Sequence, residues 1–198
     1  IKITKKFKFI HPVAGFNLSK NIKKEIKLIK KLGFKSIKIH PRSKNLTLEQ
    51  IDLEKIARYA DEEKLNILIC TYFNSHLSQS YSQDPKYILA KSLKKIKGKV
   101  VLMHGGCERL LEFAEMIRFN ENFFLDLSLT LMKYNYSSID HNIKYLFKNF
   151  DKKIMLGSDW PEIKYKNFLA RVKFFSKGLN KSKKSNIFYK NAMSVFKI

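Results

Sequence analysis

Short apolar runs rich in β-branched and aromatic residues alternate along this chain with longer stretches where apolar residues return every three or four positions. The first run, residues 7–11, predicts a strand. Residues 21–32 then place Ile22, Ile26, Ile29 and Leu32 at helical spacing, and Gly33 follows as a C-terminal cap. Residues 35–40 predict a second strand. Thr47 opens the next helix in a Thr-Leu-Glu-Gln segment, the spacing of a capping box. A third strand is expected at 66–71, and Asp84-Pro85 begins another helix. The scheme continues with a strand at 99–104 and a helix at 107–119, then a strand at 122–128 and a helix at 138–149. A sixth strand at 153–157 precedes two closing helices, 165–177 and 183–196.

Strands that alternate with helices imply a parallel sheet with crossover helices, here in one domain over residues 1–198. An open doubly wound sheet and a closed barrel share this pattern. The polar residues favour the barrel. Ser36, Lys38 and His40 share one face of their strand, Asp126 and Ser128 share one face of theirs, and His104 and Asp159 stand at or just after strand ends. Inward polar groups gathered at C-terminal strand ends are what a barrel active site requires.

Two segments carry the candidate chemistry. In Ile154-Met-Leu-Gly-Ser-Asp-Trp-Pro161 a buried strand delivers Asp159 to its end. A carboxylate there can ligate a metal or take a proton from metal-bound water; the alternative is an N-cap for the following helix. In Val100-Val-Leu-Met-His-Gly-Gly106 the strand runs into His104, and the glycines let the backbone turn closely. Cys70 is either a zinc ligand or a small buried hydrophobe. Lys38 and His40 either contact an anionic substrate group, or reach solvent and turn the chain before Pro41. Trp160 either stacks on a planar substrate or packs. His11, His76 and His141 have no motif around them, and Cys107 is expected to start a helix.

His-Gly-Gly at 104–106, Phe-Phe-Leu-Asp-Leu-Ser at 123–128 and Leu-Gly-Ser-Asp-Trp-Pro at 156–161 occur in an order that resembles the amidohydrolase-related family. Gly-Phe-Lys-Ser-Ile-Lys-Ile-His-Pro at 33–41 is similar to that family's fourth-strand segment. Residues 186–196, with Asn191, Ala192 and Phe196, are similar to its closing helix. The resemblance runs from about Phe7 to the end. It implies an α/β fold, the (β/α)8 TIM barrel of the metal-dependent hydrolases, with about six of the eight strands in this chain. It also implies a divalent metal, zinc before others, at the barrel mouth. Asp159 then matches the eighth-strand Asp and His104 the sixth-strand His, giving both a catalytic and a metal-binding role. Cys70 occupies the fifth-strand His position, and the first-strand His-x-His occurs nowhere in the chain.

The activity implied is hydrolysis of a small carboxylate, lactone or amide by metal-activated water, with decarboxylation as the variant chemistry. Lys38, His40 and Trp160 would contact the substrate. The missing His-x-His and Cys70 leave open a degenerate barrel that binds without catalysis. Six strands would leave two open edges. A longer native chain is therefore expected, with a homo-oligomer or partner as the alternative cover.

Composition changes this picture in one respect. The net charge is +23, which suits a nucleic-acid or other polyanion partner. Yet 35 of the 40 basic residues are Lys, and Arg, the better phosphate and base reader, occurs five times. That balance favours compositional drift over nucleic-acid binding, while the charge still attracts small anions. The two cysteines form no C-x-x-C pair, and no apolar stretch reaches the length of a membrane span. A cytoplasmic protein that does not bind membranes is the expectation.

Overall fold

The computed structural model describes residues 6, 7, 9–18, 21–73 and 80–197. They fall into two compact units, residues 1–100 and 101–198.

In the first unit, β1 (Ala14–Gly15), β2 (Ser36–Ile39) and β3 (Asn66–Cys70) are neighbours in that order. The pairs are parallel, with Ala14 opposite Ile37 and Lys38 opposite Leu68. Helices α1 (Ile22–Lys31), α2 (Leu53–Glu62) and α3 (Pro85–Ser92) alternate with them. Each helix starts where an oxygen-bearing side chain can satisfy an orphan N–H. Asn21 accepts from Lys24 N, Asp52 from Lys55 N and Asp84 from Lys86 N. Helix α2 buries Leu53, Ile56, Ala57 and Ala60, the i, i+3, i+4, i+7 stripe of a one-sided helix. At its C-terminal end Asp61 accepts the N–H groups of Lys97 and Gly98 at 2.8 and 2.7 Å, holding the entry to the next strand.

In the second unit β4 (Val100–Met103), β5 (Phe123–Asp126) and β6 (Ile154–Met155) are neighbours in that order, and β5 and β6 are parallel. Helices α4 (Leu110–Arg118), α5 (Thr130–Lys133) and α6 (Ile139–Asn149) precede β6, and α7 (Tyr165–Ser176), α8 (Lys181–Ser185) and α9 (Asn191–Phe196) follow it. Phe113 and Phe147 are wholly buried, and the Phe147 ring lies 5.7 Å from that of Phe175. Arg171 of α7 pairs with Asp140 of α6 and donates through Nε to the Leu131 carbonyl of α5 at 2.9 Å. Strand β6 is only two residues long. Buried Asn191 helps to anchor it, donating to the carbonyls of Asp151 and Ile154, each at 2.7 Å.

Four expectations need correction. The first strand is Ala14–Gly15 rather than residues 7–11, and Phe9 is 78% exposed. Pro12 has no N–H, so a ladder cannot run through it from the aromatic run. The small Ala14 and Gly15 lie against β2 instead. The capping box at Thr47 forms, with Thr47 N donating to Gln50 Oε1 at 2.9 Å, but it closes a single 3-10 turn, Leu48–Gln50. Helix 107–119 starts three residues late, at Leu110, after a left-handed turn. The helix expected at 183–196 is interrupted by a π turn at Asn186–Lys190.

Gly106 tests the turn. It sits at φ +74, and a Cβ there would lie 2.1 Å from the Phe113 ring. Gly178, at φ +80, has nothing within 4 Å of the same position. Gly106→Ala should cost about 2–4 kcal/mol from overpacking and left-handed strain together, and Gly178→Ala only the strain. Urea unfolding of both variants measures the difference. Asn191→Ala should cost about 1–3 kcal/mol, because it strands buried carbonyls; the same assay reads it.

Candidate active site

Strand β4 ends by reversing its hand. His104, Gly105, Gly106 and Cys107 have φ values of 66, 56, 74 and 57°, four successive residues in the region that L side chains avoid. Neighbouring side chains impose this shape. Phe113 fills the space beside Gly106, Leu110 and Leu127 fill that beside Gly105, and the Thr130 hydroxyl donates to the His104 carbonyl. The result is a buried imidazole at the strand's C-terminal end.

The end of β5 fixes that imidazole. His104 Nδ1 lies 3.2 Å from the Ser128 carbonyl oxygen and 3.1 Å from Ser128 Oγ. A carbonyl only accepts, so Nδ1 carries a proton and donates it toward Ser128. Ser128 in turn donates both its N–H, at 3.2 Å, and its hydroxyl to Asp126 Oδ1. Burial pushes the Asp126 carboxyl above the ordinary carboxylate range; the Ser128 hydroxyl, the His104 charge and the backbone N–H groups of His104 and Ser128 pull the other way without overcoming it. The exit of β6 closes on this pair at Gly157, where a Cβ would lie 2.8 Å from Asp126 Oδ2 and 2.9 Å from Ser128 Cβ.

Asp159 follows two residues later, half-buried and at φ +53, a conformation Asp tolerates better than most residues. It is not a helix cap: α7 begins at Tyr165 with Lys164 in the N-cap position. Trp160 beside it is 76% exposed, so its ring is not a packing residue. His104, Asp126, Ser128 and Asp159 thus stand at the ends of three neighbouring strands.

The other candidates lie in the first unit. Lys38 is half-buried in β2, and half-buried His40 follows the strand as the N-cap of a 3-10 turn. Cys70 is a buried thiol in a recess with Arg42, Tyr72 and Tyr81, and no other His, Cys, Asp or Glu lines that recess among the described residues. His11 and His141 are exposed, and His76 lies outside the described residues. Among the described residues no three His, Cys, Asp or Glu side chains gather closely enough to hold a metal ion. The residues described do not by themselves fit a metal centre. The sequence reading noted that Asp126 and Ser128 face inward but gave them no role. The available signal was an acid two residues before a serine on the inward face of a strand end.

The match to known proteins agrees with this geometry. The amidohydrolase family model matches residues 8–198. No curated protein matches the chain significantly in sequence. Among solved structures, an uncharacterised TIM-barrel protein from Bordetella bronchiseptica is similar over 99% of this chain and 70% of its own, with a TM-score of 0.78 at 16% identity. Campylobacter jejuni dihydroorotase is similar over 94% of this chain and 64% of its own, with a TM-score of 0.63 at 14% identity. Metarhizium anisopliae IDCase is similar over 99% of this chain and 68% of its own, with a TM-score of 0.59 at 11% identity. These likenesses make the fold a partial (β/α)8 barrel. With nearly the whole length matched by the family model, the chain belongs to the amidohydrolase family.

Proposed function

We propose that this chain carries the catalytic half-site of a hydrolase that adds water to the carbonyl carbon of a small carboxylate, lactone or amide. The observation that supports it best is the placement of His104 and Asp159 after β4 and β6, on either side of β5, with the His104 ring held by Ser128. The Asp159 carboxylate takes the proton from the attacking water and returns it to the departing oxygen or nitrogen. His104 Nε2 accepts a proton or hydrogen bond from the reacting group. The exposed Trp160 ring covers the planar part of the substrate. Ser128 and Asp126 position His104.

Members of the family generally use divalent metals. Zinc is the ion that the resemblance implies, but it would need ligands beyond those the described residues gather. No step is therefore assigned to it. Among the described residues no helix is long and apolar enough to cross a membrane, and a cytoplasmic setting is part of this proposal.

The test is turnover of a panel of lactones, amides and carboxylates, with carbon dioxide release measured alongside hydrolysis. Asp159→Ala should lower kcat/KM by about 10²–10⁴-fold, the range of general acid–base catalysis. Unchanged turnover would remove Asp159 from the mechanism and leave a binding protein as the better reading.

Asp126 gives a second expectation. Between the ordinary carboxyl pKa and the raised one, the folded protein holds a proton that the unfolded chain has released. Raising pH through that window favours unfolding. Wild-type stability should therefore fall as pH rises above the ordinary carboxyl range, and Asp126→Asn should flatten that slope. Thermal unfolding of both proteins across acidic to neutral pH measures it; parallel slopes would show that Asp126 ionises freely.

A further inference from the structure

The five arginines of this chain are not used alike. Arg109 and Arg118 pair with Glu112 and Glu115 on their own helix, and Arg171 pairs with Asp140. Arg58 is exposed, its guanidinium 4.7 Å above the Tyr59 ring. Arg42 is the exception. It is half-buried, directly after Pro41 at the exit of β2, and its side-chain Nε has no hydrogen-bond partner among the described residues. Its guanidinium carbon lies 4.7 Å above the Tyr72 ring, which holds one face of the group and leaves the N–H edge for an acceptor.

Its Nε atom is buried. Among the described residues only three buried side-chain polar atoms lack a partner: Arg42 Nε, His40 Nε2 and Ser36 Oγ. All three belong to β2 or the turn that leaves it. A buried donor without an acceptor is unfavourable in a free protein and is explained when something else supplies the acceptor. Arg42 also lines the recess beside Cys70, Tyr72 and Tyr81, whose enclosed volume is about 10 Å³. That is room for one oxygen atom, not for a whole substrate.

We propose that Arg42 is a carboxylate-binding residue at this recess of the first unit. One carboxylate oxygen enters the recess toward Arg42 while the body of the ligand stays outside it, with Lys38 adding positive charge on the same strand. The planar fork of guanidinium matches a carboxylate better than a tetrahedral phosphate surrounded by lysines alone. This assignment rests on the hydrolase reading for its biological meaning, but binding can be measured without turnover.

The experiment follows the Nε–Hε resonance of Arg42 in arginine-labelled wild-type protein at about 0.15 M ionic strength, which screens diffuse attraction to the basic surface. The probes are malonate, acetate and inorganic phosphate. Arg42→Lys assigns the resonance and keeps the charge. Malonate should shift it saturably and bind more tightly than phosphate. Affinity for malonate should drop at least tenfold in Arg42→Gln and by less in Arg42→Lys. An unmoved resonance, or equal malonate affinity in Arg42→Gln, overturns the subsite. Phosphate binding as tightly as malonate overturns the carboxylate assignment. If Arg42→Gln does not fold, the wild-type titration and Arg42→Lys decide. Intact malonate binding with no turnover on any substrate counts against the hydrolase reading alone.

Discussion

A carboxyl group taken out of water needs a cation or a set of donors, and Asp126 is surrounded by donors. It receives the N–H and hydroxyl of Ser128 and the backbone N–H of His104. The donors come from the ends of two strands, β4 and β5. The same serine orients the His104 ring, and the glycine at the exit of β6 leaves room for the carboxyl group. Three strands that would otherwise be joined only by their ladders are thus coupled through one side chain. Replacing it changes the direction of an imidazole as well as a local contact. The weak acidity of Asp126 is the electrostatic sign of the same arrangement, since burial outweighs the donors.

The alternation of strands and helices was legible because each unit is locally consistent. Gly33 caps α1, Asp84 caps α3, and α2 shows a one-sided stripe. The first strand was misplaced because aromatic content in residues 7–11 outweighed the break at Pro12, whereas pairing selected the small residues after it. The strand-end positions of His104 and Asp159 were legible because each follows a continuous apolar run. The left-handed turn after β4 could not, because it is imposed by Phe113 and Thr130, which lie elsewhere in the chain. Arg42 was hidden by composition: one arginine among many lysines reads as drift until its buried, unpartnered Nε is seen.

The division of labour between the two cations follows from their chemistry. Lysine supplies most of the +23 charge and remains largely a solvated coat. Arginine appears where a fixed fork is needed, pinning α7 to α5 and α6 through Arg171 and stacking on Tyr72 through Arg42. The surface charge gathers anions from a distance, while a held guanidinium discriminates among them.

The turn at His104–Cys107 depends on a helix of only four residues, α5, which supplies the Thr130 hydroxyl to the His104 carbonyl. Such a short helix has little cooperative stability of its own and belongs to the segments that open first in a native protein. When it opens, four residues held in the left-handed region can relax toward the right-handed one, and the imidazole loses its aim while the helices and ladders around it stay intact. Warming would therefore loosen the imidazole before the surrounding helices and ladders melt.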